Sequence, residues 1–220
     1  IEGDVELNAG GDVSFSAEVS GNENGSAGDA DFTINTQADT TFGGTVSDLA
    51  TLTTDNGGST IAKADITTTG NQTYNDKFVL NTSLTLTGGN ASFTDGITGN
   101  NKNLTLNFTG NATLDGKATT ISGINNLTSL GGVAANGTIT TTGAQSFEGN
   151  ATLIGNTILV GPSATLAGTL DGQGNDLTIN YASPTTISSS SRNITNFSSV
   201  GDVLLNTTDF ETIGSQMFQG

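Results

Sequence analysis

Carboxylates are the side chains of this sequence with the greatest capacity for chemistry, because its 220 residues include neither histidine nor cysteine. That composition excludes Ser-His and Cys-His nucleophile pairs and zinc sites built from these ligands. Two carboxylates, or a carboxylate-bound Ca²⁺ with a basic side chain, would suffice to cleave a polysaccharide. The candidate pairs are Asp171 with Asp176 and Asp95 with Lys102. Each lies in a Gly-rich turn whose counterpart elsewhere carries different charges, so we interpret them as solvated corner residues and predict no enzyme.

Oxygen-bearing side chains also collect in one loop. Residues 21–31, GNENGSAGDAD, combine glycine, Asn and acidic residues, and Glu23, Asp29 and Asp31 could offer oxygen ligands to Ca²⁺. Their spacing matches neither the EF-hand loop nor the Ca²⁺-binding nonapeptide repeat. A solvated turn is the favoured interpretation. No cofactor is predicted, with Ca²⁺ as the weaker alternative.

Asn-x-Ser/Thr sequons occur thirteen times. Such a sequon is the acceptor for N-glycosylation. It also arises without any modification, because an outward Asn in a strand places the next outward residue two positions later, and here that residue is usually Thr. Both interpretations stay open. The candidate glycosylation sites are Asn71, Asn103, Asn107, Asn111, Asn136 and Asn150.

A long repeat organises the chain. The segment ITTTGNQTY at residues 66–74 returns as ITTTGAQSF at 139–147 and, eroded, as ETIGSQMF at 211–218. Tyr74, Phe147 and Phe218 close the three copies at nearly equal intervals. The chain therefore divides into three super-repeats of about 73 residues, roughly 1–75, 76–148 and 149–220, and repeats of this kind indicate a solenoid.

Composition predicts an all-β fold. Thirty-one glycines, two prolines and abundant Thr, Ser and Asn disfavour helix. Apolar residues alternate at the strand period, as in Leu84-Thr-Leu86, Leu104-Thr-Leu106 and Leu177-Thr-Ile179, which predicts that these aliphatic side chains are buried. A tandem array of β-sandwiches is the alternative, but the segments are short for a sandwich.

About nine short strands are predicted in the unit 76–148. Three strands per coil would give three coils of about 24 residues per unit, and the whole chain would form one parallel β-helix of about nine to ten coils without a linker. The aromatic residues that close the repeats should then lie on the same side of the rod, whole coils apart. We expect their rings to point inward, with Gln72, Gln145 and Gln216 beside them bonding the backbone at a corner.

The charge pattern limits the partners. A formal charge of −16 would repel phosphate backbones and anionic lipid, so neither nucleic acid nor membrane insertion is expected. The chain shows neither a transmembrane run nor a signal peptide, and it is expected to be a segment of a longer protein. Rigidity without cysteine is common among bacterial surface proteins, which favours a secreted or cell-surface location.

Three segments resemble the repeats of large bacterial exoproteins of the filamentous-haemagglutinin type: ITTTGNQTY, LTLTGGNASF and GNNKNLTLNF. The likeness covers most of the chain from about residue 48, whereas the secretion domain of that family is not visible. The resemblance implies a right-handed parallel β-helical shaft, exported by two-partner or autotransporter secretion. It also implies roles in adhesion, biofilm or contact-dependent competition, and some related adhesins carry sugars on such sequons.

The expected function is therefore an extracellular structural or adhesive shaft. Its partners would be a host or neighbouring-cell surface, a glycan or matrix, or other copies of itself joined end to end or laterally. A subunit of an extracellular filament or sheath is the nearest alternative. Thr-x-Thr pairs resemble ice-binding faces, but they do not recur in every coil, so ice binding and polysaccharide cleavage are less favoured.

Overall fold

The computed structural model describes residues 1–21 and 28–220, without the side chains of 117–119. Its described residues form twenty-six strands and no helix. Every strand pairing is parallel, and all strands belong to one continuous sheet. β-Branched and short polar residues favour strands and corners over helix, which explains this all-β result.

The strands lie on three sides, which we name A, B and C in the order in which the chain meets them. Side A contains β1 (Val5–Ala9), β4 (Ala30–Thr36), the end of β6 (Val46–Thr54), β9 (Gln72–Tyr74), β12 (Ala91–Phe93), the beginnings of β14 (Asn111–Ser129), β15 (Gly132–Thr141) and β17 (Ala151–Gly161), β19 (Leu170–Asp171), β22 (Ser191–Ile194) and β25 (Phe210–Thr212).

Sides B and C follow in each coil. Side B contains β2 (Val13–Phe15), β5 (Thr40–Phe42), β7 (Ser59–Ala62), β10 (Lys77–Leu80), the beginning of β13 (Ile97–Phe108), the middle of β14, the ends of β15 and β17, β20 (Leu177–Tyr181), β23 (Phe197–Val200) and β26 (Gln216–Gln219). Side C contains β3 (Val19–Ser20), the beginning of β6, β8 (Ile66–Thr68), β11 (Leu84–Gly88), the ends of β13 and β14, β16 (Gln145–Phe147), β18 (Ala164–Leu166), β21 (Thr185–Ile187) and β24 (Val203–Leu205).

The three sides wind into a parallel β-helix, as the sequence predicts. Ten segments stack on side C among the described residues, so the rod has about ten coils and is roughly 48 Å long at a spacing of about 4.8 Å. The coils differ in length. The first coil is long and runs from Val5 to its partner Phe32, whereas a later and shorter coil runs from Val133 to Ala151.

One hydrophobic core runs through the rod. Its buried residues extend from Val13 to Phe197 without a break between coils. The aliphatic residues predicted to be buried are confirmed, each 5% exposed or less: Leu84, Leu86, Leu104, Leu106, Leu177 and Ile179. Aromatic rings stack along the axis, as between Tyr74 and Phe93 with centroids 5.1 Å apart. Stacking thus buries in the next coil the apolar face that a single coil would leave open.

The super-repeat is not a whole number of coils. Tyr74 pairs with Thr54 on side A, Phe147 with Ser129 on side C, and Phe218 with Ser199 on side B. Along the registers, eleven sides separate each of these aromatic residues from the next. Eleven sides are three and two-thirds coils, so each repeat is displaced by one-third of a turn.

The prediction of three coils per unit, with the aromatics on one side, is therefore wrong. Its nine strands in unit 76–148 omit two segments of the eleven, Ile97–Thr98 on side B and Val133–Ala135 on side A. The first has one large apolar residue, next to Gly96 and Gly99, and the second buries two alanines. Because these strands contain few bulky apolar residues, apolar periodicity does not reveal them. The predicted coil of about 24 residues is therefore too long.

Candidate functional site

The repeated motif builds the same corner twice. Gln72 follows the turn at Gly70, is fully buried, and directs its Nε2 towards three acceptors: the carbonyl of Thr87 at 2.9 Å, that of Ile66 at 3.3 Å and the Thr68 hydroxyl at 3.3 Å. The Thr87 carbonyl belongs to the next coil. The Gln amide therefore closes the corner and joins two coils, and the prediction that it bonds the backbone inside the rod is confirmed here.

Gln145 repeats this geometry one-third of a turn away. Its Nε2 lies 2.9 Å from the carbonyl of Val160, 3.3 Å from that of Ile139 and 3.2 Å from the Thr141 hydroxyl. Thr141 donates in turn to the carbonyl of Gly143. The corner chemistry therefore depends on the motif and not on the side of the rod that carries it.

The two tyrosines of the chain satisfy the carbonyl oxygens of these glutamines by different routes. Tyr74 Oη donates to Gln72 Oε1 at 2.9 Å within the same strand. Phe147 replaces the tyrosine in the second copy, and Tyr181, two coils further along the rod, donates to Gln145 Oε1 at 2.7 Å. Burial raises the pKa of both phenols, so each stays protonated as a donor.

In the second copy Tyr181 supplies the hydroxyl that Tyr74 supplies in the first, and this predicts that a lost donor can be restored from the other position. Tyr74→Phe should lower the free energy of unfolding by about 1–3 kcal/mol, because it leaves the buried Gln72 oxygen without a donor. Phe108 follows Gln72 at the same interval as Tyr181 follows Gln145, so adding Phe108→Tyr should restore most of the loss. Denaturant unfolding of the single and double variants measures both effects. A double variant no more stable than Tyr74→Phe would contradict the exchange.

In the third copy the corresponding residues are exposed. Gln216 and Phe218 lie on β26, the last strand, and Phe218 is 48% exposed, whereas Tyr74 and Phe147 are buried. The prediction of inward rings is therefore correct for Tyr74 and Phe147, and the ring of Phe218 also lies on the inward side, against Phe197 with ring centroids 5.3 Å apart. β26 pairs with β23 and has no strand on its other edge in the described part of this chain, so the ring is exposed on that side.

Asparagine ladders run along the corners of the rod. We use this name for Asn side chains, placed at a corner between two sides, whose Oδ1 accepts the backbone N–H of the equivalent residue in the next coil. At the corner between sides C and A, Asn71 accepts from Asn90 at 3.2 Å and Asn90 from Asn111 at 2.9 Å. At the corner between sides B and C Asn103 accepts from Asn126 at 3.2 Å. Each ladder satisfies backbone donors that no strand pairing reaches.

The ladders give a structural reason for the sequons. The Asn caps the corner, the next residue points inward, and the one after it is an outward Thr or Ser, as in Asn71-Gln-Thr73. Among the candidate glycosylation sites, Asn71, Asn103, Asn111 and Asn150 occupy such corners. The sequence interpretation by alternation within a strand missed this role, because it treated the Asn as an outward residue of a strand face and not as a corner residue.

The other two candidate sequons differ from the ladder positions. Asn136 is half-buried, and its Nδ2, the atom that would carry a glycan, already donates to Asp115 at 3.0 Å. Asn107 is exposed on the outer surface of β13 and makes no side-chain hydrogen bond within the described part of the chain. Glycosylation remains a prediction, and Asn107 is the position that could accept it without losing a contact.

A pair of variants tests the ladders. Asn90→Ala should lower the free energy of unfolding by about 0.5–1.5 kcal/mol, because the N–H of Asn111 loses its side-chain acceptor at an exposed corner. Asn107→Ala is the matched control and should change the stability by less than about 0.5 kcal/mol. Equal denaturant midpoints for the two variants would show that the Asn90 ladder contributes nothing.

Two of the three acidic candidates for Ca²⁺ lie in the described part of the chain. Glu23 lies outside the described residues. Asp29 is exposed, and Asp31 accepts the Thr51 hydroxyl at 2.7 Å. In the described residues, no group of three or more carboxylates is placed to hold a metal ion.

Asp171 and Asp176 both accept hydrogen bonds from the following coil. Asp171 accepts from Asn193 and the backbone of Gln173 and forms an ion pair with Arg192 at 3.4 Å, and these contacts lower the pKa of its carboxyl. Asp176 caps Asn196. Asp95 precedes side B and Lys102 follows it, so side B separates the two.

One polar hollow of about 710 Å³ lies at the corner between sides A and B. Asp55 and Asp95 line it together with the amides of Asn35, Asn56 and Asn75.

The described part of the chain contains no helix that is long and apolar enough to cross a membrane. Comparison with protein-family models, with curated proteins and with solved structures finds no match in any of the three.

Proposed function

We propose that this chain is a shaft segment of a large bacterial exoprotein, at the cell surface or secreted, and that it has no enzymatic role. In this role the rod holds a binding region of the larger protein away from the cell, for adhesion, biofilm or contact with neighbouring cells. The resemblance of the repeat to filamentous-haemagglutinin-type proteins suggests this class, together with export by two-partner secretion. Host or neighbouring-cell glycans and matrix are the proposed partners of the larger protein.

The observation that carries the proposal is the continuity of the rod. About ten coils share one core and one parallel sheet, and asparagine ladders reinforce the corners. A chain with several domains would bend at its linkers, whereas a continuous solenoid transmits position along its whole length. The fold therefore supports a spacer of fixed length, and the capping roles of the corner carboxylates support a structural role for them.

A filament or sheath subunit is the second candidate, and the outermost coils favour it. The last coils expose Leu204, Leu205, Ile213, Met217 and Phe218. At the other end an apolar hollow of about 350 Å³ is lined by Ile1, Val5, Leu7 and Phe15. Unpaired strand edges with apolar side chains accept another coil, which a second copy or further coils of a longer chain could supply.

Immunogold electron microscopy with an antibody against the 220-residue chain tests these proposals on cells that produce it. Gold on separate thin projections from the cell surface is the expected result. Continuous labelling of a filament or sheath would instead support the second candidate. Gold confined to the cell interior would overturn both.

A further inference from the structure

Asp76 is a carboxylate enclosed inside the rod. It lies at the corner between β9 and β10, and only 1% of its surface is exposed. Thr60 Oγ1 donates to both carboxylate oxygens, at 2.8 and 2.9 Å, and Thr54 Oγ1 donates to Oδ1 at 3.0 Å. These two hydroxyls and a backbone hydrogen bond at Asp76 are poor compensation for a buried negative charge, because they supply no opposite charge.

The charged and titratable groups around this corner do not neutralise Asp76. From the preceding coil Asp55 acts on it as a like charge, and Asp95 occupies the same corner of the following coil, between the partners of Tyr74 and Phe78. On its own coil Tyr74 is a buried phenol. Lys77, the next residue, is exposed, and no ion pair joins it to Asp76 among the described residues.

The corner also contains unsatisfied polar atoms. Thr40 is fully buried and pairs in register with Thr60, and its hydroxyl has no hydrogen-bond partner. The buried Oδ1 atom of Asp55 also has no hydrogen-bond partner. A buried group that lacks a partner costs stability, and the carboxylate of Asp76 adds a charge to the same corner. A proton on Asp76 would remove that charge.

We propose that the corner formed by Thr54, Thr60 and Asp76 is a proton-sensitive joint of the rod, at which Asp76 takes up a proton in mildly acidic surroundings and the coils around it become more stable. The joint lies between the most acidic unit of the chain and the unit that follows it. Acid thus strengthens the contact between the β6–β7 and β9–β10 corners, and neutral pH weakens it. This inference does not depend on the proposed shaft function.

The direction of the effect follows from linkage. Burial, ahead of the charge of Asp55, raises the pKa of Asp76 from 3.8 to about 6, against the hydrogen bonds from Thr60 and Thr54. Between these two values the folded chain binds more protons at this site than the unfolded chain. The contribution of Asp76 to stability is therefore greatest below about pH 4 and declines as the pH rises to about 6.

Asp76→Asn tests the proposal, because it keeps an acceptor for the two hydroxyls and removes the charge. Thermal unfolding at about pH 7.5 should show the variant melting roughly 6–12 °C above the parent, and the difference should shrink towards zero near pH 4. Asp95→Asn, which removes a half-exposed charge from the same corner of the next coil, is the matched control and should keep the pH profile of the parent.

NMR titration of the Asp76 carboxyl carbon in the parent chain keeps the proposal testable if the variant fails to fold. A midpoint close to 6 is expected. A midpoint at or below about 4, or an Asp76→Asn variant whose melting temperature follows the same pH profile as the parent, would overturn it.

Discussion

Leu104→Ala is expected to lower the free energy of unfolding by about 2–5 kcal/mol. Leu104 is fully buried on side C, where it pairs in register with Leu84 in the preceding coil and Leu127 in the following one. Truncation removes apolar surface from the core and leaves a cavity between two coils. The backbone there is held by parallel ladders on both edges, so it cannot collapse to fill the space.

The measurement is the denaturant midpoint, with Thr105→Ala as the control. Thr105 is the next residue of the same strand, points outward and is half-exposed, so its truncation should change the stability by about 0.5 kcal/mol or less. A Leu104→Ala midpoint equal to that of the parent would mean that the side chain is not inside the rod.

Gln145→Leu is expected to lower the free energy of unfolding by about 2–4 kcal/mol, although leucine is more hydrophobic than glutamine. The leucine fills the space but leaves the Tyr181 hydroxyl without its acceptor and removes the amide donor from the carbonyls of Ile139 and Val160. Tyr181 is 3% exposed, so water cannot replace the lost partner. The corner should loosen between the two coils that the amide joins.

The chain contains its own control for this variant. Gln216 holds the equivalent place in the third copy but is exposed, so Gln216→Leu should leave the unfolding midpoint almost unchanged. Comparable losses from the two variants would show that the motif stabilises the chain by its local turn alone and not by joining coils.

The fold could be predicted from the sequence wherever large apolar residues alternate. Leu84, Leu104 and Ile179 mark strands because their bulk identifies the inward positions. One missed segment has Ile97 as its single large apolar residue and the other has two buried alanines after Val133, so neither shows an alternation of bulky residues. Coil length depends on counting every side, so two hidden strands changed the inferred geometry of the repeat but not the class of fold.

The polar interior was harder to predict, because it depends on contacts between coils. Nothing near Tyr74 in the sequence indicates that Tyr181 takes over its role for Gln145, since the link exists only after the intervening coils are stacked. Asp76, between Asn75 and Lys77, has the sequence context of an exposed turn. Its burial follows from the direction in which one corner points, which periodicity does not specify.

Because each repeat begins eleven sides after the one before it, no single side of the rod carries every copy of the repeated unit. A duplicated unit arrives on a different side from its parent, yet it stacks, because every side requires only the same inward and outward alternation. Equivalent residues of successive repeats lie on the three sides in turn, and they return to the same side after thirty-three sides, or eleven coils. A surface feature copied with the unit therefore faces three directions in turn, so duplication spreads contacts around the axis instead of building one continuous binding stripe.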